Sequence, residues 1–161
     1  MHNRPDIRLQ PCLLNLHTYE FLQSGRRPYK RLPSAAIIFL LGLVHLIYTF
    51  HGSKLDPRDT ELKAKLMTVS PVISRETTMW RAWIGFNASH SYGAILFGAV
   101  YGYLAILHSA FLFQSWFLLA VGLLLLVGYA VLGKLYWFSI PFRGIVLAAV
   151  LYCLGLVFNL A

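Results

Sequence analysis

The fold is decided by an apolar run at residues 111–133, FLFQSWFLLAVGLLLLVGYAVLG, which contains no charged side chain. A hydrocarbon core of about 30 Å is crossed by about 20 helical residues, so this run is long enough to span a membrane. Comparable runs occur at residues 34–50, 83–107 and 138–160. Each is hydrophobic nearly all round, as a helix facing lipid must be. The sequence therefore predicts an all-α integral membrane four-helix bundle within residues 34–161.

The composition supports a membrane protein and argues against a soluble one. Of the 161 residues 58% are hydrophobic and 12% are charged, about half the charged share of a typical soluble domain. The net charge of +8 would suggest nucleic-acid binding in a soluble protein. Here the basic residues flank the apolar runs, where they meet anionic lipid headgroups. We expect a multi-pass protein of a cell membrane that has the bilayer as its partner and binds no nucleic acid.

Residues 1–33 form a basic segment without clear periodicity, which we expect to be a mobile N-terminal tail. The distribution of basic residues leaves the orientation of the protein in the membrane undecided. The loops after the first and third helices, with their flanks, carry eight Lys or Arg, and the tail on the opposite side carries six. The larger number favours these two loops inside the cell, whereas the first helix often dominates and would argue the reverse.

The long loop between the first two helices predicts a short amphipathic helix. Asp56-Pro57 reads as an N-cap followed by proline at the first helical position. Apolar residues then recur at helical spacing from Leu62 to Val69, with lysines turned away. We expect this helix to lie on the membrane surface.

Residues 80–93, WRAWIGFNASHSYG, concentrate polar side chains at the start of the second helix. Asn87, His90 and Ser91 share one helical face, and polar groups at this depth need partners or a purpose. His45 lies about 8 Å from the loop end of the first helix, and Asn87 and His90 lie about 6–11 Å into the second. Because the two helices are antiparallel, all three residues are predicted to lie at similar depth.

A stripe of small residues continues along the same helix. Ala94, Gly98 and Gly102 follow His90 in steps of four, a spacing that lets another helix approach closely. The sequence does not say whether that helix belongs to this chain or to a partner subunit.

Four interpretations of the polar face remain open. The first is a pocket near the first and third loops that binds a lipid, a quinone or another apolar small molecule. Its candidate residues are His45, Asn87, His90, Ser91, Trp83, Tyr136 and Trp137. The second is a set of purely structural hydrogen bonds between helices. The third is an accessory subunit of a membrane complex, which docks a partner helix on the small-residue stripe.

The fourth is a redox protein with a haem held by His45 and His90, although we predict no cofactor on the sequence alone. A metal site is not expected, because no intramembrane carboxylate accompanies the histidines. Cys12 and Cys153 add neither a disulfide framework nor metal-ligand spacing. No motif of known mechanism is present, so the sequence does not decide whether the protein is an enzyme.

Residues 77–91, TTMWRAWIGFNASHS, resemble a family of small, uncharacterised bacterial integral membrane proteins. Other positions that match the family's pattern are His45, Thr49-Phe50, Pro57-Arg58-Asp59 and Tyr136-Trp137-Phe138. The resemblance covers about residues 34–161. It implies a four-helix protein of the bacterial inner membrane and adds no reaction.

Overall fold

The computed structural model describes residues 33–160, with side chains up to residue 158. The predicted tail therefore lies outside the described residues, apart from Pro33, which begins the first helix. The helices are α1 (Pro33–Phe50), α2 (Thr60–Thr68), α3 (Met79–Leu107), α4 (Ser109–Gln114), α5 (Trp116–Tyr136) and α6 (Ser139–Leu160).

Four of these helices, α1, α3, α5 and α6, are long and apolar enough to cross a membrane. The prediction of an all-α membrane bundle is thus confirmed, and the chain is a multi-pass membrane protein. Within the described residues α1 packs between α3 and α6, and α5 packs against α6. The backbones of α3 and α5 lie farther apart, and large aromatic side chains bridge them.

Two of the long transmembrane helices, α3 and α5, begin where hydroxyl side chains cap them. The Thr78 hydroxyl accepts a hydrogen bond from the Arg81 amide, so α3 starts at Met79, four residues before the predicted start. The predicted third helix is interrupted because Ser115 takes an extended conformation and caps α5, accepting from the Leu118 amide. The residues before Ser115 form the separate short helix α4, and α5 continues past the predicted end to Tyr136.

The surface helix α2 forms as predicted, but its predicted N-cap is wrong. Asp59 caps it, because its Oδ1 accepts from the amides of Glu61 at 2.8 Å and Leu62 at 3.2 Å. Asp56 instead forms an ion pair with Lys63, with 2.7 Å between Oδ2 and Nζ. No residue of α2 is buried, which suits a helix at the edge of the bundle.

The small-residue stripe of α3 is covered by α1 of the same chain. A Cβ added at Gly98 would lie 2.6 Å from the Phe39 Cβ and 2.7 Å from the Ala35 carbonyl oxygen. On the opposing helix a Cβ added at Gly42 would lie 2.9 Å from the Ala94 Cβ. Glycine at both positions allows the two backbones to touch. The stripe is therefore not free to dock a partner helix.

Candidate functional site

The loop end of the α1–α3 pair carries a hydrogen bond between helices, at the depth that the sequence predicts. His45 Nε2 lies 3.0 Å from Asn87 Oδ1, and both side chains are at least partly withdrawn from the surface. His45 is five residues before the end of α1, and Asn87 is in the third turn of α3. The antiparallel arrangement therefore brings the two residues together from opposite directions.

The hydrogen bonds of Asn87 fix the position of a proton on His45. Asn87 Nδ2 donates to the Trp83 carbonyl oxygen at 2.8 Å. A carbonyl can only accept, so this bond assigns the amide nitrogen and turns Oδ1 toward His45. Since Oδ1 also only accepts, His45 Nε2 must carry the proton. Neutral His45 is consequently held as the Nε2–H tautomer.

His90 lies beside this pair in a cage of aromatic rings. Its ring centroid is 4.7 Å from that of Trp137 and 5.1 Å from that of Tyr129, both in edge contact. The His45 ring is 5.6 Å away, and Phe86 stacks at 6.5 Å. Within residues 33–160, neither nitrogen of the half-buried His90 has a hydrogen-bond partner. His90 thus has unused hydrogen-bonding capacity, and so do the Tyr129 hydroxyl and the Trp137 Nε1–H beside it.

Two neighbouring hydroxyl groups bond to their own helices instead of facing this cage. Ser91 is 0% exposed, and its Oγ donates to the Asn87 carbonyl oxygen at 2.8 Å. Thr49 Oγ1 donates to the His45 carbonyl oxygen at 2.8 Å. Ser91, a predicted binding residue, therefore lies in the α1–α3 contact and supports the backbone that carries Asn87.

The three aromatic residues predicted to line the site, Trp83, Tyr136 and Trp137, lie at different positions in the structure. Trp137 is part of the cage, whereas neighbouring Tyr136 is 76% exposed and lies outside it. Trp83 lies at the rim, where its Nε1 donates to the Leu55 carbonyl oxygen at 3.3 Å and attaches the first loop to α3. Trp137 thus forms one wall of the cage, Trp83 lies at its rim, and the exposed Tyr136 lies outside it.

The aromatic contact that sequence reasoning missed is Tyr129. It lies on α5, and a Cβ added at Gly93 of α3 would lie 3.1 Å from its hydroxyl oxygen. A signal was present, because Tyr129 carries the single hydrogen-bonding side chain in residues 117–133. Its direction depends on the rotation of α5 within the bundle, which an apolar run with no polar face does not specify.

The first loop is held over this end of the bundle. Lys63 pairs with Asp56, and its Nζ also lies 5.0 Å from the centre of the Trp80 ring. The Met79 amide donates to the Val69 carbonyl oxygen at 2.8 Å, which joins the end of α2 to the start of α3. These contacts hold the Lys63 ammonium group beside Asp56 and Trp80, whereas the side chains in ring contact with His90 are one histidine and three aromatic residues.

The cage does not suit a haem held between the two histidines. An axial ligand presents an imidazole nitrogen to the iron, and because His45 Nε2 donates to Asn87, only Nδ1, the nitrogen nearer the helix backbone, is left for that purpose. The rings of His45 and His90 are in direct edge contact, and Tyr129 and Trp137 occupy further sides of His90. A porphyrin would have to displace these rings. Within residues 33–160, no group of three or more His, Cys, Asp or Glu side chains is placed to hold a metal ion.

The opposite end of the bundle is built differently. The Tyr101 hydroxyl donates to the Leu118 carbonyl oxygen at 2.6 Å, and the Tyr152 hydroxyl donates to the Leu119 carbonyl oxygen at 3.0 Å. Beside them is a cavity of about 30 Å³. One water molecule needs about 10–15 Å³ of such space, so the cavity has room for about two waters. That volume is too small for a lipid or a quinone ring.

Fold and site together define an all-α, multi-pass membrane protein with a neutral polar cluster, caged by aromatic rings, at one end of its bundle. No protein-family model, curated protein or solved structure matches the chain. The resemblance to a family of small bacterial membrane proteins therefore stays a prediction, and the geometry of the chain alone carries the functional argument.

Proposed function

We propose that the protein binds an apolar small molecule with a neutral, oxygen-bearing head, such as a quinone or a neutral lipid, at the cage around His90. The observation that carries the proposal is the half-buried imidazole of His90, which has four ring contacts and no hydrogen bond within residues 33–160. An imidazole without a partner is costly at membrane depth. A carbonyl or hydroxyl of the ligand would supply the missing hydrogen bond.

The charge of the cage supports a neutral head. His45 and Asn87 satisfy each other, and the other side chains around His90 are aromatic. A charged head would enter this environment without a countercharge and would bear the full cost of desolvation. The one ion pair between side chains of residues 33–158, Lys63 with Asp56, involves neither His90 nor the rings around it.

The position of Trp137 provides a route by which a ligand can reach His90. Trp137 is the C-cap of α5 and has an extended backbone, in the short connection to α6. Its ring can leave His90 without the unfolding of a helical turn. The wider separation of α3 and α5 would then admit a ring or an acyl tail between them. In this proposal the Trp137 side chain moves aside to admit the ligand. The hydrogen-bonded pair of His45 and Asn87 stays in place on the α1 side of His90.

The partner of this site is therefore a small apolar molecule taken from the bilayer, and the proposal assigns no reaction and no cofactor. The bacterial inner membrane is our proposed location, supported by the resemblance of residues 77–91 alone.

The experiment is native mass spectrometry with solvent extraction on protein purified in mild detergent, comparing wild type with His90→Leu. We expect one dominant small molecule in the wild type and about three- to tenfold lower occupancy in His90→Leu, the effect of one lost hydrogen bond. The matched control is His108→Leu. His108 is a histidine at the other end of α3, where it pairs with Tyr103 at 3.3 Å, and this variant should keep wild-type occupancy.

A thermal melt of each variant shows that the chain is folded. Equal occupancy in all three proteins, or a folded wild type with nothing bound, would contradict the proposal. The polar cluster would then be a structural clamp between α1 and α3.

A further inference from the structure

The α2–α3 loop, residues 69–78, is closed at its base and ends in a turn. The Met79 amide donates to the Val69 carbonyl oxygen at 2.8 Å, which holds the two ends of the loop together. At the far end the Ser74 amide donates to the Pro71 carbonyl oxygen at 3.3 Å, so the chain reverses there. The two residues between Pro71 and Ser74 therefore form the tip of a closed loop.

These two tip residues, Val72 and Ile73, are apolar and touch almost nothing in the chain. Val72 is fully exposed and Ile73 is 93% exposed, the two highest values among the large hydrophobic residues that the structure describes. Because the closed base and the turn fix the shape of the loop, both side chains project from the protein. Aliphatic side chains held in this way gain free energy from any apolar phase that they can reach.

The hydrocarbon core of the membrane lies within reach of the tip. Helix α3 has 29 residues, a length of about 43 Å, which exceeds a core of about 30 Å by about 6–7 Å at each end when the excess is shared equally. Met79, and with it the base of the loop, therefore lies at about the level of the lipid headgroups. Ile73 is four residues from Val69, and an extended chain of that length spans at most about 14 Å.

The apolar tip continues a surface that already faces lipid. Trp83 and Phe86, one and two turns into α3, are 44% and 66% exposed and lie on a helix that is long and apolar enough to cross the membrane. An indole ring near the end of such a helix is typical of the boundary between headgroups and acyl chains. The base of the loop is thus joined to the part of the bundle that meets this boundary.

The charges beside the tip suit lipid phosphate groups. Arg75 follows the tip, Arg81 lies in the first turn of α3, and residues 69–81 contain a single acidic residue, Glu76. Within residues 33–158 neither arginine forms an ion pair. Guanidinium groups bind phosphate oxygens well, and basic residues next to a membrane are attracted to its surface.

We propose that the α2–α3 loop is a membrane anchor, in which Val72 and Ile73 insert into the acyl region beside the start of α3 and the two arginines bind lipid phosphates above them. An apolar surface with basic flanks is how interfacial segments enter a lipid surface. A tip pointing away from the bilayer would leave both side chains in water. Through the hydrogen bond between Val69 and Met79, insertion also fixes the depth at which α3 begins. The anchor does not depend on a ligand at His90.

The test locates the tip with a small fluorescent amino acid in place of Ile73, in protein reconstituted into nanodiscs of phosphatidylcholine and phosphatidylglycerol. One quencher is a lipid with a nitroxide on its acyl chain, and the other is acrylamide in the water. The matched control has the same fluorescent residue in place of Arg58, an exposed residue of the preceding loop. We expect the lipid to quench position 73 at least about threefold more strongly than position 58, and acrylamide to do the reverse.

Val72→Asp, combined with the fluorescent residue at position 73, removes the other apolar side chain of the tip. The Val72 side chain is fully exposed, so this variant still folds. We expect its quenching by the lipid to fall to the level of position 58.

Three results would overturn the proposal. Acrylamide quenching at position 73 as strong as at position 58 would mean that the tip lies in water. Protection of position 73 from both quenchers would mean that a second copy or another protein covers it. Unchanged lipid quenching in Val72→Asp would mean that the apolar tip does not cause insertion.

Discussion

Helix α3 has two interfaces inside the bundle, and they are built on different principles. Against α1 the contact is made by backbone and small side chains, with no space for a methyl group at Gly98. Toward α5 the backbones are farther apart, and the rings of His90, Tyr129 and Trp137 bridge the distance. A contact between backbones cannot open without disrupting the fold, whereas side chains can change rotamer. The α1–α3 contact therefore holds the bundle together, and α3–α5 is the side on which the proposed ligand would enter.

The largest expected effect comes from adding one methyl group in the close α1–α3 interface. Gly98→Ala places a Cβ 2.6 Å from the Phe39 Cβ and 2.7 Å from a backbone oxygen, so the helices must separate. We expect the free energy of unfolding to fall by about 1–3 kcal/mol or more. Chemical or thermal unfolding in detergent measures this change.

The same substitution at Gly128 is the control, because its surroundings are open. There the higher helix propensity of alanine should leave stability unchanged or raise it by up to about 1 kcal/mol. Equal losses for Gly98→Ala and Gly128→Ala would mean that α1 and α3 are not in close contact.

A second prediction concerns the hydrogen bond at the loop end of the tight interface. In a double-mutant cycle of His45→Leu and Asn87→Leu, we expect a coupling energy of about 0.6–1.7 kcal/mol, the range found for hydrogen bonds between membrane helices. Each single variant should be less stable than wild type, since each leaves a polar partner unsatisfied.

Unfolding of the four proteins under the same conditions gives the coupling. Additive effects, with no coupling beyond experimental error, would show that the two side chains do not bond. His45 Nε2 would then have no acceptor in Asn87 to fix its proton.

The smallest expected effect is at the α3–α5 interface, where the two backbones are farther apart. Gly93→Ala places a Cβ 3.1 Å from the Tyr129 hydroxyl oxygen, at the free end of a side chain that can move by a few tenths of an ångström. We expect the free energy of unfolding to change by less than about 0.5 kcal/mol. A loss as large as that of Gly98→Ala would show that α3–α5 is as tightly packed as α1–α3, and the proposed route for a ligand would be closed.

The sequence predicts the tight interface better than the wide one. Apolar run length gives four membrane helices, and helical spacing places Asn87 and His90 on one face. Antiparallel threading then gives the matching depth of His45. Each of these steps depends on local geometry that a sequence contains. Even so, the pattern could not tell whether the stripe at Gly98 packs against α1 or against another protein.

The α3–α5 interface depends on how α5 is rotated about its axis, and the sequence of α5 contains little to fix that rotation. An all-apolar helix has no polar face to orient it, so the contact of Tyr129 with His90 was not predicted. The sequence also does not distinguish Trp137 from Tyr136, because the α5 backbone leaves the helical conformation at Trp137, and the exact end of a helix decides which of two adjacent aromatic side chains contacts His90. Ser115 also interrupts an apolar run that periodicity alone reads as continuous.

The measurement that tests the central claim most directly is photo-crosslinking from within the membrane. A photoreactive amino acid at Phe86, which stacks on His90, reports what lies at the cage, and one at Leu135 reports the lipid-facing side of α5 near the same end. Mass spectrometry of the adducts identifies the captured molecules. We predict that Phe86 captures one neutral, oxygen-bearing molecule in clear excess over its share at Leu135. The same mixture of bulk lipids at both positions would contradict a binding site at His90.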